Sequence, residues 1–120
     1  MMMYIKLFEQ FEIDKTFWET EVDGNPVKVT LSDVLDYLDN GFELDPNSIS
    51  HLLIDVKRDE SRIQSANLNY PIILAGRRGK LISILDGQHR VVKAIRDGVN
   101  IKARILDLDF APENFKSVFK

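Results

Sequence analysis

The chain passes from strand to helix within residues 84–98, which read ILDGQHRVVKAIRDG. A short apolar run ends at Leu85, an Asp-Gly pair follows, and apolar positions then recur at helical spacing until Gly98. A glycine at such a bend lets the backbone turn sharply and lets a ligand approach without a Cβ in the way. The pattern predicts a strand, a bend at Gly87 and a helix over residues 88–97.

The first turn of this helix is a candidate phosphate site. Its N–H groups lack partners inside the helix, and the aligned peptide dipoles place partial positive charge there. Gln88, His89 and Arg90 occupy the turn, so a phosphate on its amides would receive charge-assisted hydrogen bonds from Arg90, with His89 as a second donor. Arg96 lies about 10 Å further along the helix axis, so using it requires a second phosphate or a nucleic-acid backbone.

The same residues also have a structural interpretation. Asp86 can cap the helix by accepting the N–H of His89 instead of serving as a functional carboxylate. Arg90, Lys93 and Arg96 can simply be solvated on the exposed face of the helix. The whole string favours the phosphate site, because folding alone does not require a strand, Asp-Gly-Gln-His-Arg and an amphipathic helix in that order.

This string resembles the signature of the ParB/sulfiredoxin superfamily, which includes chromosome-partition ParB proteins, sulfiredoxin and DGQHR-domain proteins. The resemblance covers residues 44–107, whereas residues 1–43 match nothing recognisable and residues 108–120 form a tail. It implies a single α/β (α+β) domain over residues 1–120, with a small mixed sheet, flanking helices and a phosphate-binding turn.

The resemblance also implies which residues act. The phosphates of a nucleotide would be bound by the bend and the first turn, that is, by Gly87, Gln88, His89 and Arg90. Gln88 stands where sulfiredoxin has its catalytic cysteine, which excludes sulfinic-acid repair. Arg62 and Lys93 are further candidate phosphate contacts, and a nucleoside triphosphate with Mg²⁺ is the candidate ligand. His89 and Asp86 are the candidate catalytic residues if the domain is an enzyme.

Composition excludes several kinds of site. A chain of 120 residues with 44% hydrophobic and 29% charged residues predicts one globular domain. Cysteine is absent, which excludes a disulfide scaffold, a thiolate metal site and a cysteine nucleophile. With two histidines in the chain, we expect no metal site. Residues 1–11 lack the pattern of a signal peptide or membrane span, so we expect a cytoplasmic protein without a membrane partner.

Charge is unevenly distributed along the chain. Residues 1–60 hold five Lys or Arg against 14 Asp or Glu, whereas residues 76–104 hold eight against two. The net charge of −3 argues against a protein that coats nucleic acid, but the basic half predicts a surface for an anionic ligand. The candidate nucleic-acid contacts are the cations of a predicted hairpin loop and one helix, namely Arg77, Arg78, Lys80 and Arg96. Alternatively, these cations lie on solvated faces of separate elements, and the acidic half of the chain lies near enough to offset their charge.

Local patterns predict the remaining elements. An Asp-Gly-Asn turn at residues 23–25 predicts a hairpin. Ser32 and Gly41 are the predicted start and stop of a helix, and Asp45 with Pro46 opens a second one that reaches Val56. The other predicted elements are a short helix over 59–66, strands over 71–75, 81–85 and 101–108, a strand or short helix over 3–11, and a helical face of Phe115 and Phe119 in the tail.

Three hypotheses of function remain. The first is a nucleotide- or phosphate-binding ParB-like domain acting in DNA metabolism, plasmid or phage biology or defence, with DNA as a second partner. The second is a Mg²⁺-dependent enzyme of that fold, an NTP hydrolase, kinase or nuclease; a nuclease needs clustered carboxylates, for which Asp55, Asp59, Glu60 and Asp86 are candidates by type. The third is a non-catalytic interaction or inhibitor module, whose acidic N-terminal half binds a host protein and whose motif is vestigial.

Overall fold

The computed structural model describes residues 17–54 and 59–119, and in these ranges it confirms an α+β fold. The prediction for residues 3–11 lies outside the described residues. In chain order the elements are β1 (Phe17–Val22), β2 (Asn25–Thr30), α1 (Leu31–Leu35), β3 (Phe42–Leu44), a 3₁₀ helix (Pro46–Leu52), α2 (Glu60–Ser65), β4 (Ile72–Arg77), β5 (Lys80–Asp86), α3 (Gln88–Asp97), β6 (Ile101–Asp107) and α4 (Glu113–Val118).

A four-stranded mixed sheet is the centre of the molecule. Its order is β3-β6-β4-β5, with β4 parallel to β6 and the other neighbours antiparallel. β4 is an inner strand whose residues from Ile72 to Gly76 are all buried, which explains its continuous apolar sequence. The second sheet is the antiparallel hairpin of β1 and β2.

The two faces of the large sheet carry separate apolar cores. Ile73 and Ala75 of β4 pack with the β1–β2 hairpin, α1 and α4, whereas Ile72 and Leu74 pack with α3 and the 3₁₀ helix. Successive residues of a strand point to opposite faces, so β4 joins the two cores through its backbone. The predicted tail helix is confirmed, since α4 places Phe115 and Phe119 in the first core.

Both hairpins close through two-residue turns with positive φ at both positions. Asp23 and Gly24 form the predicted turn between β1 and β2. The β4–β5 loop is shorter than the predicted five residues, because pairing continues up to Arg77 and Lys80 and leaves only Arg78 and Gly79 in the turn. A non-glycine residue in this left-handed conformation costs about 1–2 kcal/mol, so Arg78 is strained (φ 53°).

Two helix predictions are corrected by the structure. The helix expected from Ser32 to Gly41 begins after Thr30 and ends at Leu35, because Leu38 leaves the helix and pairs with Leu106 of β6. Asp45 caps the next helix as predicted, but that segment is a 3₁₀ helix that ends at Leu52. The predicted bounds of α3, residues 88–97, are confirmed.

Membrane-spanning helices were sought within residues 17–54 and 59–119, and none there has the length and apolar character required.

Candidate functional site

Gly87 forms the bend at the end of β5 and is the N-cap residue of α3. Its φ of 105° is disfavoured for side chains other than glycine. A Cβ at this position would also lie 2.5 Å from Cγ2 of Ile72, the first residue of β4. The glycine is therefore required by the close contact with β4 as well as by the turn.

Arg90 is committed to partners inside the protein. Its guanidinium donates to the carbonyl of Pro71 at 2.6 Å and to Asp86 Oδ2 at 2.8 Å, and the residue is only 9% exposed. These bonds tie the first turn of α3 to the end of β5 and to the residue before β4. We call Arg90, Asp86 and Pro71 the Arg90 clamp. The clamp holds the bend in place, and two of the guanidinium donors of Arg90 are used for bonds inside the protein.

The interpretation of Asp86 as the helix cap is wrong. The N-cap residue is Gly87, and no side chain caps the helix, because the Asp86 carboxylate faces the Arg90 guanidinium. Asp86 was also a candidate catalytic residue, and its carboxylate is held in this ion pair with Arg90. The i,i+4 spacing of Asp86 and Arg90 is a sequence signal for this pair, whereas the Pro71 carbonyl comes from 19 residues earlier in the chain.

Gln88 and His89 have different surroundings within the same turn. The Gln88 side chain accepts from the N–H of Ile54 and donates to the carbonyl of Ile84, both at 3.3 Å. It therefore connects the end of the 3₁₀ helix to the bend. His89 is half-buried, and its side chain makes no hydrogen bond or ion pair with the residues that the structure describes.

The backbone amides of the first turn remain without a side-chain acceptor. α1, the 3₁₀ helix and α2 are capped by Thr30, Asp45 and Asp59, whereas α3 and α4 begin without such a bond. Amides at a helix N-terminus must then be satisfied by water or by a ligand. The turn thus combines free donors, a half-buried imidazole and a carboxylate that the clamp neutralises.

The other cations of α3 hold α2 in place. Lys93 Nζ donates to the carbonyls of Gln64 and Ala66 at 2.8 and 2.9 Å, so it caps the C-terminal end of α2. Arg96 makes a two-pronged ion pair with Glu60, and the hydrogen bond to Glu60 raises the pKa of Arg96. Lys93 is thus used on backbone carbonyls at the end of α2, and Arg96 is used on the Glu60 carboxylate.

The remaining candidates lie on or near α2. Arg62 is exposed, and its side chain has no hydrogen-bond partner among residues 17–54 and 59–119. Asp59 is used as the cap of α2 and Glu60 pairs with Arg96, while Asp55 lies outside the described residues. In the part of the chain that the structure describes, no three His, Asp or Glu side chains are grouped so that they could hold a metal ion.

The basic hairpin lies at the other end of the sheet. Arg77 and Lys80 face each other across the β4–β5 turn, whereas Gly87 follows the last residue of β5. Sequence reasoning missed two features of these regions: the Pro71 carbonyl in the clamp, and Phe110 in the loop after β6, which is 85% exposed. Its place between Asp109 and Pro112, which are residue types common in turns, was the available signal for the latter.

Comparisons with known proteins found no match for this chain among family models, curated proteins or solved structures.

Proposed function

We propose that this protein binds a phosphate group, as inorganic phosphate or as part of a nucleotide, at the bend that precedes α3. The observation that carries the proposal is that α3, a helix of ten residues, follows Gly87 directly and has no side-chain cap on the N–H groups of its first turn. An anion there gains the N–H groups of the turn and the positive end of the helix dipole. This is the role that a ParB/sulfiredoxin-like domain would give to Gly87, Gln88 and His89.

Two further features support an anion at this position. The Asp86 carboxylate is the nearest negative charge along the chain, and its ion pair with Arg90 reduces the repulsion of a ligand. His89, which lies in the first turn without a partner among the described residues, would donate a ring N–H to a bound phosphate. The proposal thus relies on amides and one imidazole, with Arg90 holding the geometry and Arg62 as a further cation.

The experiment is a titration of the ¹⁵N-labelled protein with inorganic phosphate, followed by ATP, CTP, GTP and UTP, each with and without Mg²⁺. The amide resonances of Gln88, His89 and Arg90 are expected to shift most, and the melting temperature is expected to rise with ligand concentration. Shifts elsewhere with none in this turn would overturn the assignment. Turnover of any nucleotide in the same samples would support the enzyme hypothesis.

His89→Glu is the informative variant. A carboxylate in the first turn stabilises the helix by about 0.3–1 kcal/mol but repels a phosphate from the same amides. We therefore expect an unliganded protein at least as stable as the original and a loss of phosphate-induced stabilisation. Asn114→Glu is the matched control, since it adds the same charge to the first turn of α4. Equal loss in both variants would mean that net charge, and not the turn, governs binding.

A further inference from the structure

The end of the sheet opposite to Gly87 carries three cations, and the loop bonded to it carries an exposed aromatic residue. The amide of Arg78 donates to Asp109 Oδ2 at 2.7 Å, and the amide of Leu108 donates to the Gly76 carbonyl at 2.9 Å. These bonds hold the loop after β6 against the β4–β5 hairpin. Phe110, 85% exposed, follows directly in that loop. We call Arg77, Arg78, Lys80 and Phe110 the tip surface.

The charges of the tip surface are available to a ligand. Within the described ranges, Arg77, Arg78 and Lys80 have no carboxylate within ion-pair distance. The two nearby carboxylates are used inside the loop, where Asp109 accepts from the Arg78 amide and Asp107 accepts from the Asp109 amide. The three cations also line an open groove of about 460 Å³ together with Ile82.

Two features of this end of the sheet do not contribute to the stability of the fold. Arg78 occupies a left-handed turn position that glycine, asparagine or aspartate would fill with less strain. Phe110 leaves almost its whole ring in water although apolar cores lie on both faces of the sheet. Backbone strain of this kind clusters at ligand-binding and other functional sites.

We infer that the tip surface binds single-stranded nucleic acid, with the cations on the phosphates and Phe110 stacked on a base. Proteins that bind single strands without sequence preference combine two elements. One is a positively charged groove that follows the phosphates, and the other is an exposed aromatic ring on which a base stacks. Duplex nucleic acid fits less well, because its bases are already stacked and offer no face to Phe110. The inference is independent of the proposed phosphate site at Gly87, which lies at the other end of β5.

The test is fluorescence anisotropy with labelled 20-nucleotide oligo(dT) and oligo(U) and a labelled DNA duplex, from low to moderate salt. We expect binding of one or both single strands, weakened about tenfold by Phe110→Ala and retained in Phe110→Trp. Arg78→Asn, which keeps a residue suited to the turn, combined with Lys80→Gln should lower the salt dependence of log K by about 0.7 per lost phosphate contact.

Phe42→Ala and Lys102→Ala are the matched controls, since they remove an exposed ring and a cation at the opposite edge and end of the sheet. Both variants should bind the oligonucleotides as the original protein does. No binding at low salt, or equal effects of Phe110→Ala and Phe42→Ala, would overturn the inference. Preference for the duplex with no effect of Phe110→Ala would overturn it as well. Absence of phosphate and nucleotide binding in the original protein, together with intact oligonucleotide binding, would count against the Gly87 site alone.

Discussion

Gly87 and Arg90 show how single residues fix the bend before α3. The glycine brings the backbone against Ile72, and the arginine three residues later bonds to Asp86 and to the carbonyl of Pro71. The need for a glycine is visible in the sequence, because a strand running directly into a helix requires a sharp turn. The sequence does not show that Arg90 points inward, because its partner, the Pro71 carbonyl, comes close only when β4 pairs with β5.

Replacing Gly87 by alanine should cost much more stability than replacing the glycine at the other end of the same helix. Gly87→Ala meets Ile72 at 2.5 Å in addition to its left-handed backbone, so we expect a loss of about 2–4 kcal/mol. Gly98→Ala has a φ of 67° but open space around it, so about 1 kcal/mol is expected. Urea unfolding measures both, and equal losses would contradict the close contact.

Removing Arg90 should leave the Asp86 carboxylate and the Pro71 carbonyl without their partner. Arg90→Met is expected to lower the free energy of unfolding by about 2–4 kcal/mol, because the pair is largely buried. A double-mutant cycle with Asp86→Asn should give a coupling energy of about 1–3 kcal/mol.

Arg96→Met is the control for that series, since its ion pair with Glu60 is exposed to solvent. A clearly smaller effect on stability is expected there, because exposed pairs gain little. If Arg90→Met leaves stability unchanged yet abolishes phosphate binding, Arg90 is a ligand after all and the clamp assignment fails.

At the scale of elements, α3 organises what surrounds it. Its first turn contacts the end of the 3₁₀ helix through Gln88, and its middle and end hold α2 through Lys93 and Arg96. α2 has only six residues, too few to be stable alone. It therefore depends on its Asp59 cap, on buried Ile63 and on these cations.

Lys93→Met should loosen α2 without affecting the phosphate site. The carbonyls of Gln64 and Ala66 lose their donor, so amide hydrogen exchange in Glu60–Ser65 is expected to accelerate while exchange in α3 changes little. Lys116→Met, on α4, is the control. Weaker phosphate binding in Lys93→Met alone would instead favour the role in phosphate binding that the sequence predicted.

Elements with local signals were predicted well, and those set by distant contacts were not. The turn at Asp23, the cap at Asp45 and the stop at Gly98 depend on residues within one turn of the chain, so their positions follow from the sequence. Residues 36–41 have a helical pattern, but Leu38 pairs with Leu106 of β6, 68 positions away. Such a contact has no signal within a local window.

At the scale of the whole molecule, β4 makes one cooperative unit of two cores. Its residues from Ile72 to Ala75 belong alternately to the two cores, so disrupting either face disturbs the strand that supports both. The β1–β2 hairpin joins this unit through Trp18, whose ring meets Phe119 edge-to-face at 5.2 Å between centroids. We therefore expect the hairpin, the sheet and α4 to unfold together.

Phe119→Ala tests this coupling. Loss of a buried ring should cost about 3 kcal/mol and lower the melting temperature by roughly 10–20 °C. Trp18 is the single tryptophan, so its emission reports on the hairpin while far-ultraviolet circular dichroism reports on the whole chain. The two transitions should coincide in the original protein. A tryptophan transition well before the other would show that the hairpin melts independently.

The pairing of β4 with β5 has two register shifts, one between Ile73 and Leu74 and one between Ala75 and Gly76. These shifts affect how copies of the chain can associate. β5 ends the sheet, so one side of its backbone lacks a neighbouring strand, which invites pairing with another β-rich molecule. Ile82 and Leu85 are the inserted residues at the two shifts, and both pack into the first core. Such bulges bend and twist β5, so its free edge is less suited to pairing with another strand. Lys80, the first residue of β5, adds a positive charge at the start of this edge strand. Neutralising it is therefore expected to favour aggregation, which light scattering of the Lys80→Gln variants would detect.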